Sequence, residues 1–134
     1  MFLLLSSFRS NLDGSNFPWI ESCFKAHFDP AQKLKKWELS VNKQGFFRFR
    51  KFHLTGKQEY FSLNLARVKD FQYWGTVDAG EIIVQTKGED VIVQTYNDPK
   101  GNVDSMSNCV KIPVINIEPE LLDSLRVNLV RKSE

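Results

Sequence analysis

From Leu34 onward the chain alternates between apolar and polar side chains, and this period of two constrains the fold more than any other feature of the sequence. Between Leu34 and Val41, Trp37 and Leu39 fall on one face and Glu38 falls on the other. Successive side chains of a β-strand point to opposite faces, so the pattern predicts a strand with one buried face.

The same alternation, interrupted by turn residues, predicts about seven antiparallel strands in all. They cover residues 34–41, 46–55, 59–65, 66–75, 82–86, 91–95 and 109–115. Residues 66–75 are ambiguous, because Leu65, Val68 and Phe71 also fit helical turns, but the aromatic content favours a strand. The polar residues 97–108 predict a long loop.

Two of these strands have nearly the same sequence, IIVQT at residues 82–86 and VIVQT at residues 91–95. Gly88 and Glu89 between them suit a two-residue turn, which would place Val84 opposite Val93. The sequence therefore predicts that the two strands form a hairpin.

Two segments near the ends of the chain have helical spacing without the ambiguity of residues 66–75. Residues 17–28 have apolar groups at steps of three and four, with Asn16 as a candidate cap, and residues 119–131 follow the same rule. The leucines of the second helix share one flank, at positions 121, 122, 125 and 129. The prediction is one α+β domain over residues 1–134, in which residues 1–30 form an N-terminal loop and helical extension and residues 34–131 form the β-rich core and the closing helix.

The composition excludes several classes of protein. The apolar run at residues 1–5 is shorter than an export signal requires, and no apolar stretch reaches the ~18 residues of a spanning helix. The only two cysteines, Cys23 and Cys109, are widely separated, which favours free thiols in a cytoplasmic protein.

Catalytic and cofactor motifs are missing from the sequence. The seven glycines have no phosphate-binding spacing, and neither Gly-x-Ser-x-Gly nor His-Glu-x-x-His occurs. Cys23 and His27 would share a helix face, but two ligands do not make a zinc site. The sequence therefore predicts no enzyme, no catalytic residue, no metal and no cofactor.

The charge of the chain is unevenly placed. Residues 33–57 contain eight Lys and Arg residues against one Glu, a local net charge of +7 in a chain whose total is +2. Aromatic residues lie between these cations, a combination that binds phosphates and stacks bases, although alternate aromatics also build cores beneath a solvated basic face. The candidate ligand-binding residues are Lys36, Lys43, Arg48, Arg50 and Lys51.

This basic hairpin resembles the start of a pleckstrin-homology domain. The segments KWEL (36–39), RFRKFHLT (48–55) and EYF (59–61) are similar to the first three strands of that family, and residues 110–117 are similar to a late strand. The resemblance covers about residues 34–131 and implies a sandwich or open barrel closed by a helix. It also implies that Lys36, Arg48 and Arg50 occupy the places that bind phosphoinositide head groups.

Two functions follow as expectations. The first is a non-catalytic binding module of this type, which engages a protein segment or an anionic head group through the basic hairpin. The alternative is a single-stranded nucleic-acid-binding protein of Whirly-like architecture, built from two strand-strand-strand-helix units at residues 34–75 and 81–131. A helix at residues 66–75 would favour the alternative and a strand would favour the first; the oligomeric state has no signal in the sequence.

Overall fold

A computed structural model describes residues 16–130, which form an α+β fold of two helices and eight antiparallel strands. The helices are α1 (Phe17–His27) and α2 (Pro119–Leu129). The strands are β1 (Leu34–Val41), β2 (Phe46–His53), β3 (Gln58–Asn64), β4 (Val68–Gly75), β5 (Ala79–Thr86), β6 (Val91–Tyr96), β7 (Asp104–Ser107) and β8 (Cys109–Ile115). The predicted fold class is confirmed, with eight strands in place of about seven.

The strands form two sheets that enclose the core without closing into a barrel. The larger sheet has the order β1-β2-β3-β6-β7, and the smaller has the order β4-β5-β8. The predicted alternation holds on β1 and β2, where Leu39 and Phe49 face each other and are both buried. Each strand thus needs only one apolar face, which is why a period of two suffices to specify it.

Residues 66–75, which separate the two expected architectures, are mostly strand. A single 3-10 turn, Leu65–Arg67, precedes β4. The Asn64 side chain accepts a hydrogen bond of 2.9 Å from the Ala66 backbone N–H and so supports this turn. The strand prediction is confirmed, and the helix that a two-unit architecture requires here does not form.

The predicted hairpin between the two similar strands is wrong. β5 pairs with β4 and β8, whereas β6 pairs with β3 and β7, so Val84 lies opposite Phe71 and Val110 while Val93 lies opposite Phe61. Both segments carry inward-facing valines, and that pattern suits either sheet equally well.

The chain crosses from one sheet to the other at residues 87–90. The Lys87 N–H donates to the Arg67 carbonyl at 2.9 Å, and Arg67 Nε lies 3.2 Å from Asp90 Oδ2. The Gly88 N–H also donates to Asp90 Oδ2 at 2.8 Å. These contacts tie the crossing to the start of β4 and hold the two strands apart.

The segment predicted as a loop, residues 97–108, contains β7. This strand pairs with β6 from Gln94 to Val91, yet three of its four residues are exposed. Its sequence, Asp-Ser-Met-Ser, has no apolar alternation. The pairing therefore depends on the β6 backbone rather than on buried side chains of β7, and the sequence pattern had no signal for it.

Both predicted helices form, with small differences at their ends. α1 ends at His27 and α2 at Leu129, and Arg131 and the predicted loop over the first fifteen residues lie outside the described residues. Asn16 stands at the cap position of α1, but its side chain makes no capping hydrogen bond. Its Nδ2 donates to Asn128 Oδ1, and its Oδ1, the atom that would accept a capping hydrogen bond, has no partner among the described residues. The predicted capping role of Asn16 is therefore wrong.

The helices close the core from one side. On α1 the buried residues include Ile20 and Phe24, and on α2 they are Leu125 and Leu129, while the other two leucines of the predicted flank are half-buried. Phe24 contacts Phe47 of the large sheet edge-to-face, with ring centroids 5.4 Å apart. Because the helices and the small sheet cover one face of the large sheet, its other face is left to the solvent.

Candidate anionic-ligand site on the outer face

The outer face is defined here as the side of the large sheet formed by the even-numbered residues of β1, from Lys36 onward, and of β2, β3, β6 and β7. On β2 the division is clear, because Phe47 and Phe49 are buried while Arg48 is exposed and Arg50 is half-buried. The strand alternation that buries the odd-numbered aromatics therefore presents both arginines to solvent.

Three of the predicted site residues come together on the outer face. Arg48 and Arg50 lie on one strand, two residues apart, a separation of about 6.5–7 Å along β2. Lys36 on β1 lies opposite Phe52, one step further along the same face. The structure therefore places Lys36, Arg48 and Arg50 in one line along the first two strands.

Arg50 is held in place by its neighbours. Its guanidinium carbon lies 4.9 Å from the centre of the Tyr60 ring and 5.7 Å from that of Tyr96. Nη1 donates a hydrogen bond of 3.1 Å to Gln58 Oε1. A guanidinium fixed by rings and an amide loses little further freedom when it binds a ligand.

Arg48 is a cation of the outer face that has no carboxylate partner within the part of the chain that the structure describes. Among residues 16–130 it has no carboxylate within 4.0 Å, and its guanidinium lies 5.8 Å from the Phe46 ring. Lys36, by contrast, lies 3.7 Å from Glu38 and 4.5 Å from the centre of the Phe52 ring. Arg50 likewise forms no ion pair within residues 16–130, so the uncompensated charge of this face lies on the two arginines.

The other two predicted residues lie elsewhere. Lys43 is in the exposed turn between β1 and β2, and Lys51 points to the inner face of the large sheet. There Lys51 Nζ lies 3.7 Å from Glu59 Oε1 and 5.7 Å from the Phe61 ring. The structure thus places Lys51 on the opposite face from Arg48 and Arg50, although Arg50 directly precedes it in the sequence.

Glu59 is the centre of a half-buried polar cluster on the inner face. His53 Nε2 lies 2.7 Å from Glu59 Oε1, and Lys51 approaches the same oxygen. Burial alone would raise the pKa of Glu59, but the hydrogen bond from His53 and the positive charge of Lys51 outweigh it and lower the pKa. The carboxylate is thereby held in its ionised form.

A lowered pKa for Glu59 predicts a pH-dependent contribution to stability. Because the folded state favours the carboxylate, this contribution is complete above the ordinary pKa of Glu and is lost as the pH falls through the lower, folded-state value. We expect Glu59→Gln to unfold at lower urea concentration than the wild type near neutral pH. The difference should shrink in acid, and a difference independent of pH would contradict the assignment.

Sequence reasoning missed the part of the outer face that β6 and β7 contribute. Tyr96, Ile92 and Met106 are 39%, 38% and 49% exposed, and they join the face because β6 pairs with β3 and β7 pairs with β6. Ile92 lies in the predicted strand 91–95, but the predicted hairpin with residues 82–86 gave that strand the wrong partner, and Met106 lies in the segment predicted as a loop. Phe46, 37% exposed, completes the apolar part of this surface.

Between the two arginines the outer face carries a shallow cleft of about 160 Å³. Ser40, Tyr60 and Glu38 contribute to its walls together with Arg48 and Arg50. It combines two guanidinium groups with one carboxylate, so its charge is positive but partly compensated. Such a cleft suits a single anionic group better than several closely spaced ones.

Within residues 16–130 no cluster of three or more His, Cys, Asp and Glu side chains is placed to hold a metal ion. None of the helices in that range has the length and apolar character needed to span a membrane.

Comparison of the chain with protein-family models, with curated proteins and with solved structures finds no match in any of the three. The resemblance to pleckstrin-homology domains therefore stays a prediction.

Proposed function

We propose that this chain is a non-catalytic binding module that holds an anionic ligand on its outer face. The proposal rests on one observation: Arg48 and Arg50 lie two residues apart on β2, on the same solvent-facing side of the sheet. Arg50 is pre-positioned by Tyr60 and Gln58, and Arg48 has no carboxylate partner in the described part of the chain. Guanidinium groups bind phosphate and carboxylate oxygens through paired, charge-assisted hydrogen bonds.

The resemblance stated above supports the same residues from a second direction. In pleckstrin-homology domains the corresponding basic positions contact an anionic head group, and here Lys36, Arg48 and Arg50 share one face. We also propose a cytoplasmic location, since Cys23 and Cys109 are both free thiols. Burial raises the pKa of the Cys23 thiol, which makes it a poor nucleophile.

Replacement of both arginines tests the proposal. We expect Arg48→Gln/Arg50→Gln to weaken binding to an anionic probe at low salt by about tenfold or more, since each charged hydrogen bond is worth about 1.5–3 kcal/mol. The probes are phosphoinositide-containing vesicles and a fluorescent oligothymidylate. The melting temperature should stay nearly unchanged, because Arg48 is exposed and neither arginine contributes to the core.

The matched control removes the same charge from the small sheet. Lys69→Gln/Lys111→Gln changes two exposed lysines on β4 and β8. The control should bind both probes nearly as well as the wild type. Equal losses in the two double variants would mean that only net charge matters, and a wild type that binds neither probe at low salt would overturn the proposal.

A further inference from the structure

We infer that the anionic ligand of the outer face is a single-stranded nucleic acid, an inference that rests on the proposed function. The observation behind it is that aromatic rings surround the two arginines. Phe46 lies beside Arg48, and Phe52, Tyr60 and Tyr96 lie within 6 Å of the Arg50 guanidinium. A lipid head group does not stack on these rings, whereas unstacked bases stack on both aromatic rings and guanidinium planes.

The rings are accessible where a ligand would lie. Phe46 and Tyr96 stand near opposite corners of the face, on β2 and β6, and both are exposed. Four inter-strand spacings separate β1 from β7, so the face is about 19 Å wide. An open surface of this width offers several stacking positions to an extended single-stranded nucleic acid. A compact head group would leave most of these positions empty.

Charge on the outer face also favours a nucleic acid over a polyphosphorylated head group. The three cations are accompanied by two carboxylates, Glu38 and Asp104, and Glu38 both lines the cleft and pairs with Lys36. A head group with several phosphates needs convergent cations. A single strand places one phosphate on each nucleotide and draws the rest of its affinity from stacking.

Hydrogen-bonding groups for base edges are present beside the rings. The Gln94 amide lies on the outer face between Tyr60 and Asp104, accepts a hydrogen bond of 3.0 Å from the Tyr96 hydroxyl and donates to Asp104 at 3.4 Å. One amide hydrogen and one lone pair of the carbonyl oxygen remain unused by these contacts. The outer face thus offers rings for the faces of bases, guanidinium groups for phosphates and an amide for the edges of bases.

The nucleic acid must be single-stranded, because bases can stack on protein rings only when they are not held in a duplex. In a duplex the faces of the bases are covered by neighbouring base pairs. We therefore expect an oligothymidylate to bind more tightly than a duplex of the same length.

Removal of the exposed rings tests the inference. We expect Phe46→Leu/Tyr96→Leu to weaken binding of a fluorescent oligothymidylate by about tenfold to a hundredfold, the range for loss of base stacking. The melting temperature should change little, because both side chains are exposed. The control is Trp74→Leu, which removes a ring that is 65% exposed on the edge strand β4 of the small sheet, and it should bind like the wild type.

The salt dependence of the affinity for oligothymidylate is an independent test of the inference. The logarithm of the affinity should fall linearly with the logarithm of salt concentration, and each arginine replaced should reduce that slope by about 0.7. The ring variant should bind more weakly with the slope of the wild type, because its phosphate contacts are intact.

The outcomes separate this inference from the proposed function. If the arginine variant loses binding to the phosphoinositide-containing vesicles while the ring variant binds the oligothymidylate as tightly as the wild type, the proposed function stands and the nucleic-acid inference is overturned. Tighter binding of duplex than of single strand would also overturn it. If the wild type binds none of the probes at low salt, both proposals fall.

Discussion

Phe49→Ala is expected to lower the free energy of unfolding by about 3–5 kcal/mol, the range for removing a fully buried phenylalanine. Phe49 is completely buried on the inner face of β2. Its ring centroid lies 5.7 Å from that of Phe28 and 6.0 Å from that of Phe61. Truncation would leave a cavity between the large sheet and the chain that follows α1, and a rigid sheet relaxes little to fill it.

The matched control is Phe46→Ala, three positions earlier on the same strand but on the outer face. Its ring is exposed and contacts Arg48 rather than the core, so we expect a loss of less than about 1 kcal/mol. Urea unfolding of both variants gives the two values. Similar losses for Phe46 and Phe49 would show that the assignment of inner and outer faces is wrong, and with it the candidate site.

The second large effect is expected at α2, where Leu125→Ala should cost about 2–5 kcal/mol of stability. Leu125 is fully buried, and Leu129, one turn further along, lines one internal space of the core together with Phe24, Phe47 and Leu63. α2 therefore seals the space between the two sheets rather than resting on the surface. Loss of the leucine side chain would open that seal from inside.

Val127→Ala is the control on the same helix. Val127 is 69% exposed, and alanine has the higher helix propensity, so the substitution should leave stability within about 0.5 kcal/mol of the wild type. Thermal or urea unfolding distinguishes the two variants. A Leu125 variant as stable as the Val127 variant would mean that α2 is an appendage of the fold.

Much of the secondary structure was predictable from the sequence because each element carries its own period. Steps of three and four at Phe17, Ile20 and Phe24 specified α1, and alternation specified β1 and β2. The same alternation placed Arg48 and Arg50 on one face before any partner strand was known. Local periodicity reports which side of an element is buried, and burial decides which side chains remain available to a ligand.

The sequence pattern did not indicate which of these strands pair with each other. IIVQT and VIVQT carry the same pattern of inward-facing apolar residues, so each fits either sheet. The crossing at residues 87–90, which contacts between Arg67 and Asp90 hold in place, separates them. β7 forms on the β6 backbone without an apolar pattern of its own. These decisions depend on residues distant in the chain, which periodicity cannot report.

The outer face shows both contributions side by side. Alternation along β2 was enough to indicate that Arg48 and Arg50 lie on the same face of one strand and point away from the core. Strand pairing supplies the neighbours of Arg50: Tyr60 and Gln58 come from β3, the next strand of the chain, whereas Tyr96 comes from β6, far along the chain. The physical reason is that alternation fixes the direction of a side chain relative to its own strand, whereas its neighbours across the sheet are fixed by strand pairing.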